Sequence, residues 1–250
     1  MNQEKLVSII TPLYNKEKYI EATIQSVQAQ TYVNWELVII DDCSSDQSAE
    51  IVKQYAAKDG RIRLYHNEFN LGAAGSRNRA VELARGEYIA FLDSDDLWCP
   101  DKLQKQLELM QKRQCAFCYS ACDVIDELGR PKGKVRRVPE SINYRRLLKG
   151  NVIPCLTVVI ERKKFRNIHM KKMGHEDYIL WLDLLQQCDM ACGIDEVLGS
   201  YREYENSLSS NKMKAAKWTW NIYREYLQLG FVKSCWYFIN YIYGAVRKRV

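Results

Sequence analysis

Residues 91–98 read FLDSDDLW, which places Asp93, Asp95 and Asp96 within four positions directly behind the apolar run YIAFL. Carboxylates two residues apart can face one divalent cation from a short turn, because hard ions take oxygen ligands. The same octapeptide suits a solvated turn or a helix cap, since Asp favours both. A second acidic pair, Asp41 and Asp42, follows the apolar run LVII, and Asp177 stands in HED ahead of another apolar stretch. A first-turn acid there would also stabilise a helix N-terminus. Arg77 in AGSRNRA offers a guanidinium whose fork matches phosphate oxygens, or it is an ordinary solvated helix residue. Cys115 and Cys118 have the CxxC spacing of a zinc site, with Cys122 close behind. They lie in CAFCYSACDVI, which reads as a strand, where positions three apart point to opposite faces. None of the three histidines is a matched partner, and zinc is disfavoured.

The elements around these residues alternate. Val7 to Ile10 forms a β-rich run that TPLYN stops at Thr11, and Tyr19 to Ala29 carries Ile20, Ile24 and Val27 at helical spacing. Leu37 to Ile40 is a second buried run, and SSDQSAEIVKQYAAK opens with cap residues and continues as a helix. Arg61 to His66, Ala73 to Ala84 and Glu87 to Leu92 then read as strand, helix and strand. This spacing implies βαβ units and a largely parallel sheet. Ligands of such sheets bind beyond the carboxyl ends of the strands, where TPLYN, DDCSSD and DSDD all fall. The loop after the first strand has no GxGxxG, so a pyrophosphate cannot nest on its backbone and a cation must neutralise it instead.

Composition bounds the rest. A chain of 250 residues, 47 % hydrophobic and 27 % charged, suits one large α/β domain or two small ones. Its only early apolar run spans about five residues, too few for a secretory signal, and nine cysteines scattered among apolar residues fit a reduced, cytoplasmic chain. The net charge of +6 is unevenly placed: residues 211–250 hold eight basic residues against Glu225 alone, so the remaining 210 sum to −1. A diffuse nucleic-acid surface is disfavoured, and the terminal segment invites an acidic partner or a membrane surface.

In this order, VSIITPLYN (7–15), LVIIDDCSSD (37–46), NLGAAGSRNRAVELARGEYIAFLDSDD (70–96) and HED (175–177) make the chain resemble the inverting family 2 glycosyltransferases, from residue 6 to about 210. The resemblance implies an α/β GT-A fold: a Rossmann-like, mixed but mainly parallel sheet flanked by helices, here with a helical tail over 211–250. It implies a base pocket lined by Thr11 and Tyr14, with Asp42 accepting from a uracil N3–H, and Arg77 approaching the diphosphate. Asp93 and Asp95 match the D-x-D motif, Asp95 as ligand of Mg²⁺ or Mn²⁺ and Asp93 as partner of ribose or metal-bound water. Asp96 could cap the helix after Pro100. Asp177 would be the base that deprotonates the acceptor, and His175 no ligand. One departure stands out: the family often has a histidine in a YRxH segment, sometimes a third metal ligand, whereas this chain reads YREYENSLS, with Tyr204 in that place.

These expectations describe a transferase that moves a sugar from a nucleotide-sugar donor, UDP-linked by preference, to a hydroxyl of a lipid-linked bacterial surface glycan. Two rivals belong to other classes. A catalytically silent nucleotide-sugar- or glycan-binding subunit would not need Asp42, Asp95 and Asp177 together, and a nucleotidyltransferase would show a glycine- and lysine-rich phosphate loop. The tail holds ten aromatics between Trp218 and Tyr243, and Gly230 is placed to divide two helices. Its apolar stretch CWYFINYIYGAV has about twelve residues, shorter than a bilayer span. A helix lying in the interface at the inner face of the cell membrane is expected, with packing against the catalytic domain as the alternative.

Overall fold

The computed structural model describes residues 5–204 and 212–247. In chain order its elements are β1 (Val7–Leu13), α1 (Ile20–Gln28), β2 (Trp35–Asp41), α2 (Ser48–Lys58), β3 (Ile62–His66), α3 (Gly72–Leu83), β4 (Tyr88–Phe91) and β5 (Leu97–Trp98). They continue through α4 (Lys102–Arg113), β6 (Phe117–Ile125), β7 (Pro131–Arg136), β8 (Ser141–Ile142), α5 (Tyr144–Leu147), β9 (Val159–Glu161), α6 (Glu176–Leu185), β10 (Ala191–Arg202), α7 (Lys212–Asn221) and α8 (Phe231–Arg247). One sheet runs in the order β3-β2-β1-β4-β9-β6-β10-β5, with β7 on β6 and β8 on β10. β3, β2, β1 and β4 are mutually parallel and β10 is parallel to β6, while β9 runs antiparallel between β4 and β6. The sheet is thus mixed: parallel through β3-β2-β1-β4, as the alternating βαβ pattern requires, and between β6 and β10, with β5, β7, β8 and β9 paired antiparallel.

β1 and β2 are buried at every position, the signature of strands covered on both faces. Ile10, Val38, Ile40 and Phe91 join one core cluster with Trp181, and Ile9, Leu37, Ile39 and Leu92 join the other with Trp98. β1 runs past Thr11, where the sequence suggested a stop, through Pro12 to Leu13. The proline is tolerated because β4 pairs with β1 only as far as Ile10, so beyond it β2 is the sole partner. Gly86 admits a close approach before β4: a Cβ there would stand 2.6 Å from the Ser8 backbone nitrogen, and its N–H donates to Ser8 Oγ at 2.7 Å.

Lys102 is fully buried at the start of α4, its ammonium 3.9 Å from the centroid of the Trp98 ring and without a hydrogen-bond partner among the described residues. Burial pulls its pKa down to about 7. Between that value and the unfolded one near 10.4 the unfolded chain holds the extra proton, so stability rises with pH across this window. Lys102→Met should therefore stabilise the fold at pH 7 by on the order of 3 kcal/mol, with the gain fading as pH rises from about 7 and mostly gone by about pH 10. Urea midpoints of both proteins at pH 7 and pH 10 check this; equal midpoints at pH 7 would contradict it.

The C-terminal segment is joined to the core. Ile222 and Tyr223, in a π-helical turn after α7, are fully buried in the cluster around Trp181. Tyr226 Oη donates to Asp183 Oδ2 at 2.6 Å. Gly230 separates this turn from α8, as the sequence suggested. α8 has two faces. Ser234 is buried, Tyr237 packs on Tyr223 and Phe238 on Trp220, whereas Val232, Trp236, Ile239 and Tyr243 stand exposed at helical spacing. Lys248 and Arg249 of the basic tail lie outside the described residues.

Candidate active site

The carboxyl ends of the parallel strands β1, β2 and β4 share one edge, and the loops that follow them interlock. Asn15 N–H donates to Ser44 Oγ (3.1 Å), Ser45 N–H to Asn15 Oδ1 (2.8 Å), Lys16 N–H to Ser48 Oγ (2.7 Å) and Glu17 N–H to Asp46 Oδ2 (3.0 Å). Asn15 and Cys43 take left-handed backbone angles, φ 49° and 65°, which non-glycine residues adopt where surrounding contacts hold the turn.

Asp41 serves the loop: its Oδ1 accepts from Ser44 N–H at 3.3 Å and its Oδ2 faces His66 Nδ1 at 3.1 Å. Asp42 is buried. Its Oδ1 accepts from Asn67 Nδ2 (2.6 Å) and Leu71 N–H (2.8 Å), and its Oδ2 from Gly72 N–H (2.8 Å), so one oxygen keeps acceptor capacity while the carboxylate fastens the start of α3. Thr11 is fully buried with its hydroxyl unpartnered among the described residues, and Tyr14 is half-exposed.

Each DSDD carboxylate has a partner of its own, two of them cationic side chains and the third a backbone amide. Asp93 pairs with Arg77, which comes from α3 and is itself buried. Burial opposes the Arg77 charge, but the Asp93 carboxylate outweighs it and holds the guanidinium firmly protonated. Asp95 Oδ2 meets Lys16 Nζ at 2.6 Å and accepts from Tyr204 Oη at 2.7 Å. Burial, followed by the neighbouring Asp95 charge, raises the Tyr204 pKa and keeps it a donor. Asp96 does not cap α4, contrary to the sequence expectation. Its Oδ1 accepts from Arg202 N–H at 2.8 Å and its carbonyl from Thr23 Oγ1 at 2.9 Å, because β10 arrives beside this turn and claims the side chain. Burial raises the Asp96 pKa, and Asp95 and Asp93 add to the shift.

Asp177 is the second residue of α6. His175 before it has φ 52° and Gly174 φ 74°, and a Cβ on Gly174 would lie 2.4 Å from the Trp218 ring, so this turn is pressed against α7. Asp177 Oδ2 accepts from Asn151 Nδ2 at 3.2 Å and Oδ1 from Tyr178 N–H at 2.8 Å. Burial pushes its pKa up, against the opposing pull of the Tyr178 amide. A carboxylate with a raised pKa at the mouth of a helix suits proton abstraction near neutral pH.

A cavity of about 1010 Å³ brings together Arg77, Asp93, Asp96, Asn151, Asp177 and Tyr241 of α8. Thr11, Tyr14, Asp42 and Asp95 do not line it; they lie at the strand ends and in the loops after them. Sequence reasoning missed Asn151, Lys16 and Arg202. Lys16 directly follows the YN of the first motif, whereas Asn151 in KGNVIP carries no local signal.

Among the described residues no group of three or more His, Cys, Asp or Glu side chains is placed to hold a metal. The oxygen donors present fit a hard cation shared with a diphosphate, which needs one or two carboxylates. They do not form a cage for an ion held by the protein alone, and Lys16 would have to yield its place on Asp95.

The sequence model described as glycosyl transferase family 2 matches residues 8–169. TuaG of Bacillus subtilis, named as a teichuronic acid biosynthesis glycosyltransferase, is 46 % identical over 250 residues, covering 100 % of this chain and 99 % of that protein. WfgD of Escherichia coli, named UDP-Glc:alpha-D-GlcNAc-diphosphoundecaprenol beta-1,3-glucosyltransferase, is 40 % identical over 246 residues, covering 97 % and 94 %. Among solved structures, Staphylococcus aureus TarS 1-349 in complex with UDP-GlcNAc superposes with a TM-score of 0.75 at 20 % identity, over 96 % of this chain and 72 % of that one. The mannosyltransferase PcManGT of Pyrobaculum calidifontis, solved with GDP-Man and Mn²⁺, gives 0.69 at 16 % identity, over 92 % and 66 %. Both share the fold.

Proposed function

Since the chain belongs to glycosyltransferase family 2, we propose that it transfers a sugar, with inversion, from a UDP-sugar to a hydroxyl of a lipid-linked glycan in the synthesis of capsule, O-antigen or another bacterial surface polysaccharide. The observation that carries this reading is Asp177, a carboxylate oriented by Asn151 and Tyr178 N–H at the start of α6, lining the same cavity as the Arg77–Asp93 pair. A single base opposite the leaving group matches one in-line displacement. Asp177 accepts the acceptor hydroxyl proton as that oxygen attacks the anomeric carbon, and Asn151 holds the carboxylate in place.

Donor binding is assigned to the strand ends and the loops after them: Thr11, whose hydroxyl has no partner among the described residues, and the half-exposed Tyr14 flank the base, and the remaining acceptor capacity of Asp42 reads the uracil imide. Arg77 and Asp93 stand at the diphosphate and ribose. A bound Mg²⁺ or Mn²⁺ would supply Lewis-acid stabilisation of the departing diphosphate. Asp95 would hold it, and Lys16, released from Asp95, would turn its ammonium toward the phosphates.

The exposed face of α8 is the surface we assign to the membrane. No helix among the described residues is long and apolar enough to cross one, but Val232, Trp236, Ile239 and Tyr243 present an apolar stripe of the kind that lies in an interface. Trp236→Glu with Ile239→Glu should release the protein from anionic vesicles while leaving the fold intact, because the inner face of α8 is untouched. Co-sedimentation decides it, and equal pelleting of variant and parent would refute the assignment.

The function itself is tested by incubating the protein with a panel of nucleotide sugars, Mn²⁺ and a short-chain lipid-diphosphate sugar, and scoring product by mass. Transfer from a UDP-sugar is expected; no transfer from any donor, with binding retained, would favour a catalytically silent subunit.

A further inference from the structure

The proposed reaction brings two anions to one cavity, the donor diphosphate and the acceptor diphosphate, and the site as described accounts for the first alone. β7 is exposed at every position and hydrogen-bonded in the sheet to β6. With the residue after it, it carries Lys132, Lys134, Arg136 and Arg137 within six positions. Lysine on an edge strand often serves to discourage edge pairing, which would account for Lys132. It does not account for Lys134, Arg136 and Arg137, all of which line the cavity that holds Arg77, Asp93 and Asp177. Lys134 and Arg136 are two apart and project from the same face of the strand. The Arg136 guanidinium lies 3.9 Å from the centroid of the Tyr201 ring, which fixes its plane and leaves its fork available.

Acidic residues facing this strand are too few to neutralise it. Glu203 takes Lys132 at 2.6 Å and stands 3.8 Å from Lys134; Asp195 stands 3.6 Å from Arg137. For Arg136 the described residues supply no carboxylate within ion-pair distance, the Asp96 and Glu203 charges acting on it from farther away. Among the described residues, three cations of this strand and the residue after it, Lys134, Arg136 and Arg137, line the cavity, and of the two acids paired with the strand only Glu203 does, so this wall is net positive on a cavity large enough for more than one ligand group.

We propose that Lys134 and Arg136 form a second anion subsite, separate from the Arg77–Asp93–Asp95 region, that holds the diphosphate of a lipid-linked acceptor. This rests on the reading above, in which the acceptor is lipid-linked; WfgD, 40 % identical, is named for an acceptor carrying a sugar on diphosphoundecaprenol. A sugar bridging Asp177 and this wall would place its hydroxyl at the base and its diphosphate on the cations. Tyr241 of α8 lines the same cavity, so the helix that carries the exposed apolar stripe also forms part of the cavity wall.

The test is binding, with no transfer step. Decyl diphosphate is titrated into the full-length protein held at saturating UDP and Mn²⁺, with decyl glucoside as the uncharged control of equal chain length. The parent should bind decyl diphosphate while UDP remains bound. Lys134→Gln with Arg136→Gln should weaken that affinity at least tenfold, leaving UDP affinity within twofold and the control unchanged. Competition between decyl diphosphate and UDP, equal affinity in parent and variant, or failure of the parent to prefer the diphosphate over the glucoside would each overturn the proposal. Because the probe carries no sugar and nothing is transferred, a failure of the transferase reading would leave this result readable on its own.

Discussion

Asp177→Asn is expected to lower kcat by roughly 10²- to 10⁴-fold while the affinity for the nucleotide-sugar donor stays nearly unchanged. The substitution is almost isosteric, and the amide oxygen can still accept from Tyr178 N–H, so the start of α6 should keep its shape. What is lost is the capacity to take a proton. The pH profile separates this role from a structural one. Burial raises the Asp177 pKa above the ordinary carboxylate value near 4, and a base works only when deprotonated. In the parent, kcat should therefore climb with pH along a limb displaced upward from that of a free aspartate, and the limb should vanish in the variant. Steady-state rates from pH 4 to 8 for both proteins give the comparison. Loss of donor affinity together with rate would make Asp177 a structural helix-start residue.

Asp95→Ala should remove turnover that EDTA can inhibit, with a fall of about 10²-fold or more, since Lewis-acid stabilisation of a leaving diphosphate is worth several kcal/mol. UDP binding should weaken and lose its dependence on Mn²⁺. The physical reason lies in the contacts of this carboxylate: Lys16 and Tyr204 share one of its oxygens, and the other has no partner among the described residues. A variant with undiminished, metal-independent activity would show that Lys16 does the neutralising instead. Calorimetry of UDP binding with and without Mn²⁺ reads the same point without any turnover.

The strand-end edge was legible because each strand announces itself by a β-branched run and each loop by acidic and cap residues. β1, β2 and β4 fell where those runs lie, and the order of their loops put TPLYN, DDCSSD and DSDD on one rim. The extension of β1 through Pro12 was not legible, because it depends on which neighbour ends first, a property of the sheet rather than of the segment. Asp96 misled for a related reason. Asp before a helix usually caps it, but here Arg202, 106 positions away, takes the carboxylate through its backbone N–H. Asn151 and Arg136 gain their place near Asp177 and Tyr201 from long-range packing. The helical tail showed its aromatic content in the sequence, but which aromatics are buried is decided by Trp181, Tyr178 and Leu148 of the preceding chain. Tyr223, whose hydroxyl donates to Leu148 O at 2.5 Å, and Trp236, exposed on the far side of α8, look alike as sequence.

A single displacement at the anomeric carbon with Asp177 as its base is tested most directly by the anomeric configuration of the product. With the UDP-sugar that supports turnover, proton NMR of the purified product should show the configuration opposite to that of the donor, as a single inversion demands. A product that retains the donor configuration would require a second displacement or a different nucleophile, and would contradict the role given to Asp177.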